Sequence, residues 1–297
     1  MRREGAILGA PMKLELYIRE AAKRLAQSQT PLLDARVLAK HAFGLDDAAL
    51  ILAGDRPLTE EERAKLDALI ERRAKGEPVD RIVGEKEFFG LAFKLAGGVL
   101  SPRPDSESLI EAALKRRARD SNLRILDLGT GTGCLLAALL SAFPKAEGVG
   151  VDINSEAVSL ARRNLERLGY AGRATIIEGD FASAPPGPFD LIISNPPYIP
   201  EGDRQSLPKE VREHEDARAL FAGPDGLAAY RRVIAESTAR LADGGLIILE
   251  LGAGQDGAVS ELALTAFPGA KLSFEADLSG RPRALVIAPA GEAEKSV

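Results

Sequence analysis

Apolar residues near the start of the chain recur every three to four positions. Leu14, Ile18, Ala21, Ala22 and Leu25 fall on one face of a predicted helix. Thr30 followed by Pro31 reads as an N-cap with proline at the first helical position. It opens a second helix with Leu33, Val37, Leu38 and Ala42 on its inner face, stopping near Gly44. Residues 46–52 form a short third helix closed by Gly54. Thr59 with Glu62 makes a capping box that opens a fourth, with Leu66, Leu69 and Ile70 inward and an end near Gly76. Residues 1–76 are therefore expected to be a small all-helical domain.

The pattern then changes period. Residues 81–84, 87–90 and 91–95 carry short apolar runs separated by glycine, which predicts strands and turns: a β-hairpin linker over 77–102. Residues 108–117 return to helical spacing. From there continuous apolar runs alternate with amphipathic stretches. Strands are predicted at 124–128, 148–152, 174–178, 189–193 and 245–250, with helices at 134–143, 155–168, 226–241 and 258–267. Runs apolar on both faces imply a parallel sheet covered by helices on both sides. The last two strands, 271–275 and 284–288, are joined by a short turn at 278–282 and read as an antiparallel edge hairpin. Residues 103–297 are expected to be one doubly wound α/β domain.

Composition narrows the function classes. Hydrophobic residues make up 45% of the 297 and charged residues 28%, ordinary for a globular chain. No apolar run approaches the ~20 residues of a membrane span. The N-terminal residues lack a signal-peptide core, so a cytoplasmic location is expected. One cysteine, Cys134, rules out an internal disulfide, and with only His41 and His214 beside it a zinc cluster is not expected. The default for Cys134 is a small packed residue at a helix start. The net charge of −5 disfavours nucleic acid as the main partner. The basic run at 115–119 reads as a solvated helix C-terminus, the alternative being contact with an RNA-bearing partner.

Three features point to a nucleoside. Asp127, Leu128, Gly129, Thr130, Gly131, Thr132 and Gly133 close one strand and open a helix, where glycines allow close backbone approach. The third glycine comes one position too early for a dinucleotide fingerprint, which disfavours a nicotinamide oxidoreductase. The spacing is the one expected around the amino-acid half of S-adenosylmethionine, with Asp127 facing its cationic amino group directly or through water. Asp152, ending the next strand about 20 residues on, is placed to accept ribose hydroxyls; Asn154 or Ser155 is the better helix cap. Asp180 after the third strand can accept from an adenine amino group, and Phe181 can pack on the ring. An ordinary turn with a core aromatic is the other reading of that pair.

The fourth strand ends in Asn195, Pro196, Pro197 and Tyr198. An amide nitrogen is a poor nucleophile, so a site that alkylates it should hold its hydrogens with acceptors and aim its lone pair. The Asn195 side-chain oxygen is one acceptor and the Pro196 carbonyl another. The prolines fix φ and restrict their neighbours, and Tyr198 offers a flat wall. This chemistry is positioning and charge stabilisation without a strong base. By itself the motif leaves adenine and glutamine equally acceptable.

At this point the chain resembles the release-factor glutamine methyltransferase family, along nearly its whole length. The resemblance runs through Gly76-Glu77-Pro78-Val79, Glu87-Phe88-Phe89-Gly90 and Pro102-Arg103-Pro104-Asp105-Ser106-Glu107. It continues through the glycine loop, Val151-Asp152, the acceptor motif, Leu249-Glu250-Leu251-Gly252 with Gln255, and Asp277 with Gly280-Arg281-Pro282-Arg283. It implies a class I methyltransferase fold and transfer of methyl from S-adenosylmethionine to N5 of the glutamine in the Gly-Gly-Gln loop of peptide chain release factors. It also implies that residues 129–133, Asp152, Phe181 and Asn195 contact the donor, that residues 195–198 hold the glutamine, and that the helical domain helps recognise the release factor. Methylation of a ribosomal-protein glutamine or of N6 of adenine in nucleic acid are the alternatives; a scaffold role fits an intact acceptor loop less well. Two positions depart from the family pattern: Ala217 replaces a proline after an acidic residue, and Ser101 replaces an apolar residue. Arg103 either faces the donor carboxylate or pairs with Asp105 or Glu107.

Overall fold

A computed structural model describes residues 12–207, 211–212, 215–276 and 280–290. His214, the turn residues 277–279 and the polar tail from 291 lie outside the described residues. The chain divides into two compact units, 1–84 and 85–297. Among the described residues no helix is long and apolar enough to cross a membrane.

The first unit contains helices α1 (Leu14–Arg24), α2 (Pro31–Phe43), α3 (Asp47–Leu52), α4 (Glu60–Ala74) and α5 (Val79–Val83). Leu14, Ile18, Leu38, Leu66 and Ile70 meet in its core. Thr59 forms the expected capping box: its hydroxyl accepts from Glu62 N, and the Glu62 carboxylate accepts from Thr59 N. Two local readings change. Leu33 is exposed, and Asp34 takes the inward position on α2. There Asp34 pairs with Arg73 at 2.7 Å and accepts from the Ser28 and Thr30 hydroxyls. Thr30 therefore sits at the N-cap position while its hydroxyl serves Asp34. Residues 81–83, expected in a strand, belong to α5. Pro78 precedes that single turn, Gly84 ends it at φ 74°, and burial of Ile82 fixes it.

The expected linker is thus divided, with α5 in the first unit and the hairpin in the second. Strands β1 (Glu85–Phe88) and β2 (Leu91–Lys94) pair antiparallel around Phe89 (φ 50°) and Gly90 (φ 75°), a two-residue turn with both central φ positive. Phe88 and Phe93, edge to face at 6.4 Å, are buried in the core of the second unit.

That core is built on a seven-stranded sheet: β3 (Arg124–Leu128), β4 (Glu147–Asp152), β5 (Ala174–Glu178), β6 (Phe189–Ser194), β7 (Leu241–Glu250), β8 (Lys271–Ala276) and β9 (Pro282–Ala288). The order is β5-β4-β3-β6-β7-β9-β8. The first five strands run parallel, and β9 inserts antiparallel between β7 and β8. Alternation sorts each apolar run onto two faces. Ile125, Leu191, Ile193, Leu246 and Ile248 pack under α6 (Glu107–Arg116), α7 (Cys134–Ala142) and α8 (Ser155–Arg167). Leu126, Leu128, Ile192, Ile247 and Leu249 face Tyr230, Val233, Val259 and Ala263 of the later helices. Those helices are α10 (Ala228–Thr238) and α11 (Asp256–Ala266), preceded by the single turn α9 (Ala217–Leu220). Helix α10 ends before residue 241 because β7 already begins there, pairing Leu241 with Phe189; the residues between Leu241 and Leu246 form a bulge. The basic run lies at a solvated helix end, with Lys115 and Arg119 exposed; Lys115 and Arg116 pair with Glu275, and Arg117 donates to the Gly244 carbonyl.

Candidate active site

The strand order reverses direction between β3 and β6, and the loops at the carboxyl ends of β3, β4, β5 and β6 converge there. Ser194, buried at the end of β6, donates to the Leu128 carbonyl at 2.5 Å and ties the two strands together. Beyond Leu128 the chain turns through Gly129, Gly131 and Gly133, at φ 80°, 56° and 80°. This left-handed region is open to glycine at little cost. The amides of Gly129 and Thr130 both donate to the Val151 carbonyl, and Gly131 N donates to Asp152 Oδ2 at 2.8 Å. The other Asp152 oxygen accepts from Asn154 N at 2.9 Å. Asn154 itself caps α8 by accepting from Glu156 N, so Asp152 is not the helix cap. Burial pushes the Asp152 carboxyl up from its ordinary value.

Asp127 is fully buried. Its Oδ2 accepts from the Thr130 hydroxyl at 2.6 Å, while Oδ1 has no hydrogen-bond partner among the described residues. Burial raises its carboxyl to about 7. An unpaired buried acceptor is costly, and a cation delivered to this point would remove the cost. Cys134, next to the loop, has its thiol pushed up to about 12 by burial, so it stays protonated and fills space.

Gly129, Thr130, Gly131, Thr132, Asp152, Asp180, Phe181, Asn195 and Pro197 line one cavity. Asp127 and Gly133 stand behind its wall. A Cβ on Gly133 would lie 3.2 Å from the Ala161 Cβ, so this glycine serves the close packing of α7 on α8. Asp180 is engaged at both oxygens, by Ser183 Oγ at 3.1 Å and Arg232 Nη2 at 2.9 Å, which hold its carboxyl below the ordinary value. Arg232 also covers the Phe181 ring, 5.4 Å from its centroid.

Asn195 borders a second cavity as well, with Pro196, Tyr198, Arg103, Asp105, Glu250 and Arg283. The four residues of the acceptor motif thus stand where the two cavities meet. Tyr198 is seated by residues that follow the neighbouring strand β7. A Cβ on Gly252 would come within 2.9 Å of its ring, and Gln255 Nε2 donates to its carbonyl at 2.9 Å. Tyr230 braces this corner by donating to the Glu250 carbonyl and accepting from Gly252 N. Burial pushes the Tyr198 hydroxyl up to about 12, so it is neutral.

Two residues with no predicted role complete the site. Asn195 Nδ2 donates to Ser106 Oγ at 3.1 Å, and Ser106 Oγ donates to Glu250 Oε2. Both belong to motifs that carried the family resemblance, but no local pattern links positions so far apart. Arg103 lines both cavities and pairs with Glu215 at 3.2 Å, not with the Asp105 or Glu107 weighed as alternatives to the donor carboxylate. Asp105 pairs with Arg283 and Glu107 accepts from Phe89 N. Asp216 caps α9 by accepting from Arg218 N, which puts Ala217 at the first helical position. Proline is welcome at that position, so alanine there preserves the backbone path. Ser101 is buried and lines the first cavity.

Comparison with known proteins shows the family and the fold. Residues 17–84 match the family model described as PrmC N-terminal domain, and residues 100–212 match that of the Methyltransferase small domain. The release factor glutamine methyltransferase of Bradyrhizobium diazoefficiens is 44% identical over 268 residues, covering 89% of this chain and 90% of that protein. The protein of the same name from Rhodospirillum rubrum is 45% identical over 263 residues, covering 89% of this chain and 80% of that one. Among solved structures, a methyltransferase from Pyrococcus furiosus superposes with a TM-score of 0.51 at 19% identity, over 75% of this chain and 96% of that one, a likeness of fold.

Proposed function

We propose that this chain, which belongs to the release factor glutamine methyltransferase family, transfers a methyl group from S-adenosylmethionine to the side-chain nitrogen of the glutamine in the Gly-Gly-Gln loop of a peptide chain release factor. The observation that carries the reading is Asn195, whose carboxamide borders both cavities with its nitrogen already committed to Ser106.

The first cavity fits the methyl donor on the chain's own chemistry. Asp127 Oδ1 is a buried acceptor with no partner among the described residues, as a cationic amino group would require. Asp152 keeps lone pairs on both oxygens beyond those used by Gly131 and Asn154, enough for two ribose hydroxyls. Phe181 and Asp180 stand beside it for the base. When bound, the donor supplies an electrophilic methyl group on a sulfonium.

The chain's part in the reaction is to hold the acceptor. With Asn195 Nδ2 donating to Ser106, Oδ1 is the end free to accept an N–H from the substrate amide. The Pro196 carbonyl supplies a second acceptor, and the neutral Tyr198 walls the plane of the amide. Two acceptors on the hydrogens align the nitrogen lone pair and stabilise the positive charge that grows there. No side chain has to remove a proton first; the alkylated nitrogen releases its proton to solvent. In this reading the first unit, residues 1–84, helps recognise the release factor.

The test is methyl transfer from labelled cofactor to a release factor, to that factor with its loop glutamine changed to alanine, to a ribosomal protein and to DNA. Label is expected in the unmodified release factor alone. Equal label in the alanine form, or label only in DNA, would overturn the reading. Asn195→Ala should abolish transfer while cofactor affinity weakens far less, and near-normal turnover in that variant would refute the acceptor assignment.

A further inference from the structure

Resting on that reading of the acceptor site, we infer that Ser106 and Glu250 are positioning residues that decide which end of the Asn195 carboxamide meets the substrate nitrogen. Hydrogen-bond direction sets that choice. The Ser106 hydroxyl carries a single proton. While that proton is given to the Glu250 carboxylate, Ser106 can only accept from Asn195. The group that reaches it must then be Nδ2, and Oδ1 is turned to the acceptor. A protonated Glu250 can donate to Ser106 instead. The serine proton is then free to turn toward Asn195, and the relay favours the opposite rotamer. That rotamer sets an NH2 group against a substrate NH2 group, two donors with nothing to accept.

The pair is built for this control. Ser106 and Glu250 are each only 2% exposed, so the bond between them is shielded from water, while the Asn195–Ser106 bond is part-buried at the cavity wall. Glu250 faces titratable and charged groups from every side: Asp105 and Arg103 from the segment before α6, Arg283 from β9, Tyr198 from the acceptor loop, Tyr230 from α10 and Cys134 from α7. The tyrosines and the cysteine are neutral at physiological pH. Burial first, and then Asp105, raise the Glu250 carboxyl, against the pull of Ser106, Arg283 and Arg103; the outcome is about 7. The carboxylate, and with it the productive relay, prevails above that pH.

Three full-length proteins test the inference: wild type, Ser106→Ala and Glu250→Gln. In each, kcat and KM for the release factor are measured from pH 6 to 9 at saturating cofactor, with cofactor affinity by calorimetry. In substrate-free protein the side-chain 15N signal of Asn195, identified by its loss in Asn195→Asp, is followed over the same range. Wild-type kcat should rise with pH and level off above about 7. Ser106→Ala should lose about tenfold in kcat, the effect of removing one orienting hydrogen bond, with KM and cofactor affinity little changed. Glu250→Gln should flatten the pH profile, and the Asn195 signal should titrate in the wild type and not in this variant. Wild-type kcat and pH profile in Glu250→Gln, or an unaltered Asn195 titration there, overturns the inference. If Glu250→Gln fails to bind cofactor, Ser106→Ala decides: an Asn195 signal that still titrates as in the wild type overturns it equally. A wild-type protein that shows the Asn195 titration but leaves release factors unmethylated refutes the functional reading and leaves the positioning pair standing.

Discussion

At Asp127 burial and function pull in opposite directions. The carboxyl is out of water, one oxygen lacks a partner among the described residues, and its protonation midpoint is lifted to about 7. A bound cation favours the carboxylate, so below pH 7 the cofactor must first displace a proton from Asp127. Cofactor affinity should therefore rise from pH 6 to pH 8. In Asp127→Asn calorimetry should find weaker binding, by about tenfold or more for loss of a buried charge-assisted contact, and a shallower pH dependence. A pH-independent wild-type affinity would remove Asp127 from the amino-group site. Asp127 as a candidate was legible in the sequence, because the acid lies beside a glycine turn whose spacing pointed to the ligand. Ser106 and Glu250 were not legible. Serine after aspartate and glutamate in an apolar strand mean little until the fold brings them together across 144 positions. The partner of Arg103 was missed for the same reason: the two nearby acids offered in sequence are taken by Arg283 and by the Phe89 amide.

The glycine loop shows the same division at the level of elements. Its three glycines look equivalent in sequence, but Gly131 has open space at its missing Cβ, while Gly133 abuts Ala161 of α8. Gly133→Ala must adopt φ near 80° and also push the helices apart. The conformational strain alone costs about 1–2 kcal/mol, and the crowding adds to it. Urea unfolding should show a loss of at least about 1 kcal/mol, with cofactor affinity reduced as a consequence of loop displacement. Unchanged stability would mean that α7 and α8 are less tightly coupled than the 3.2 Å approach implies. Most element boundaries followed from period and caps. The exceptions had two causes. Val79–Val83 is too short for its period to tell helix from strand, and tertiary burial of Ile82 decided it. Leu33 lost its inward place to Asp34 because Arg73, from a different helix, supplies the charge that lets an acid be buried.

At the scale of the whole molecule, the alternation of apolar runs and helices announced a doubly wound sheet, and the final turn announced an antiparallel pair. The place of that pair was not encoded locally: β9 lies inside the sheet, against β7, because its Leu285 and Ile287 join one face of the core and Ala284 and Val286 the other. The same convergence of strand ends concentrates three acids, the buried Asp127 and Glu250 and the half-buried Asp152, all with carboxyls raised by burial. In the unfolded chain Asp127 and Glu250 release their protons near 3.8 and 4.5; in the folded chain they hold them until about 7. Between about 4.5 and 7 the folded state binds more protons, so these groups add stability at acid pH that is lost as pH rises through the window, levelling above 7. Asp225, held down at about 2, acts in the opposite sense and only at more acid pH. A cofactor cation at Asp127 cancels that residue's share and leaves the share of Glu250. Thermal unfolding of the cofactor-free protein should accordingly give a Tm that falls from pH 5 to pH 7, and stabilisation by saturating S-adenosylhomocysteine should grow over the same range. Asp127→Asn should unfold at a higher temperature than wild type at pH 8 without cofactor, since it removes a buried charge, and should lose the pH dependence of the cofactor's stabilising effect. Equal stabilisation of the wild type by S-adenosylhomocysteine at pH 5 and pH 8 would mean that Asp127 is not the group that meets the cation.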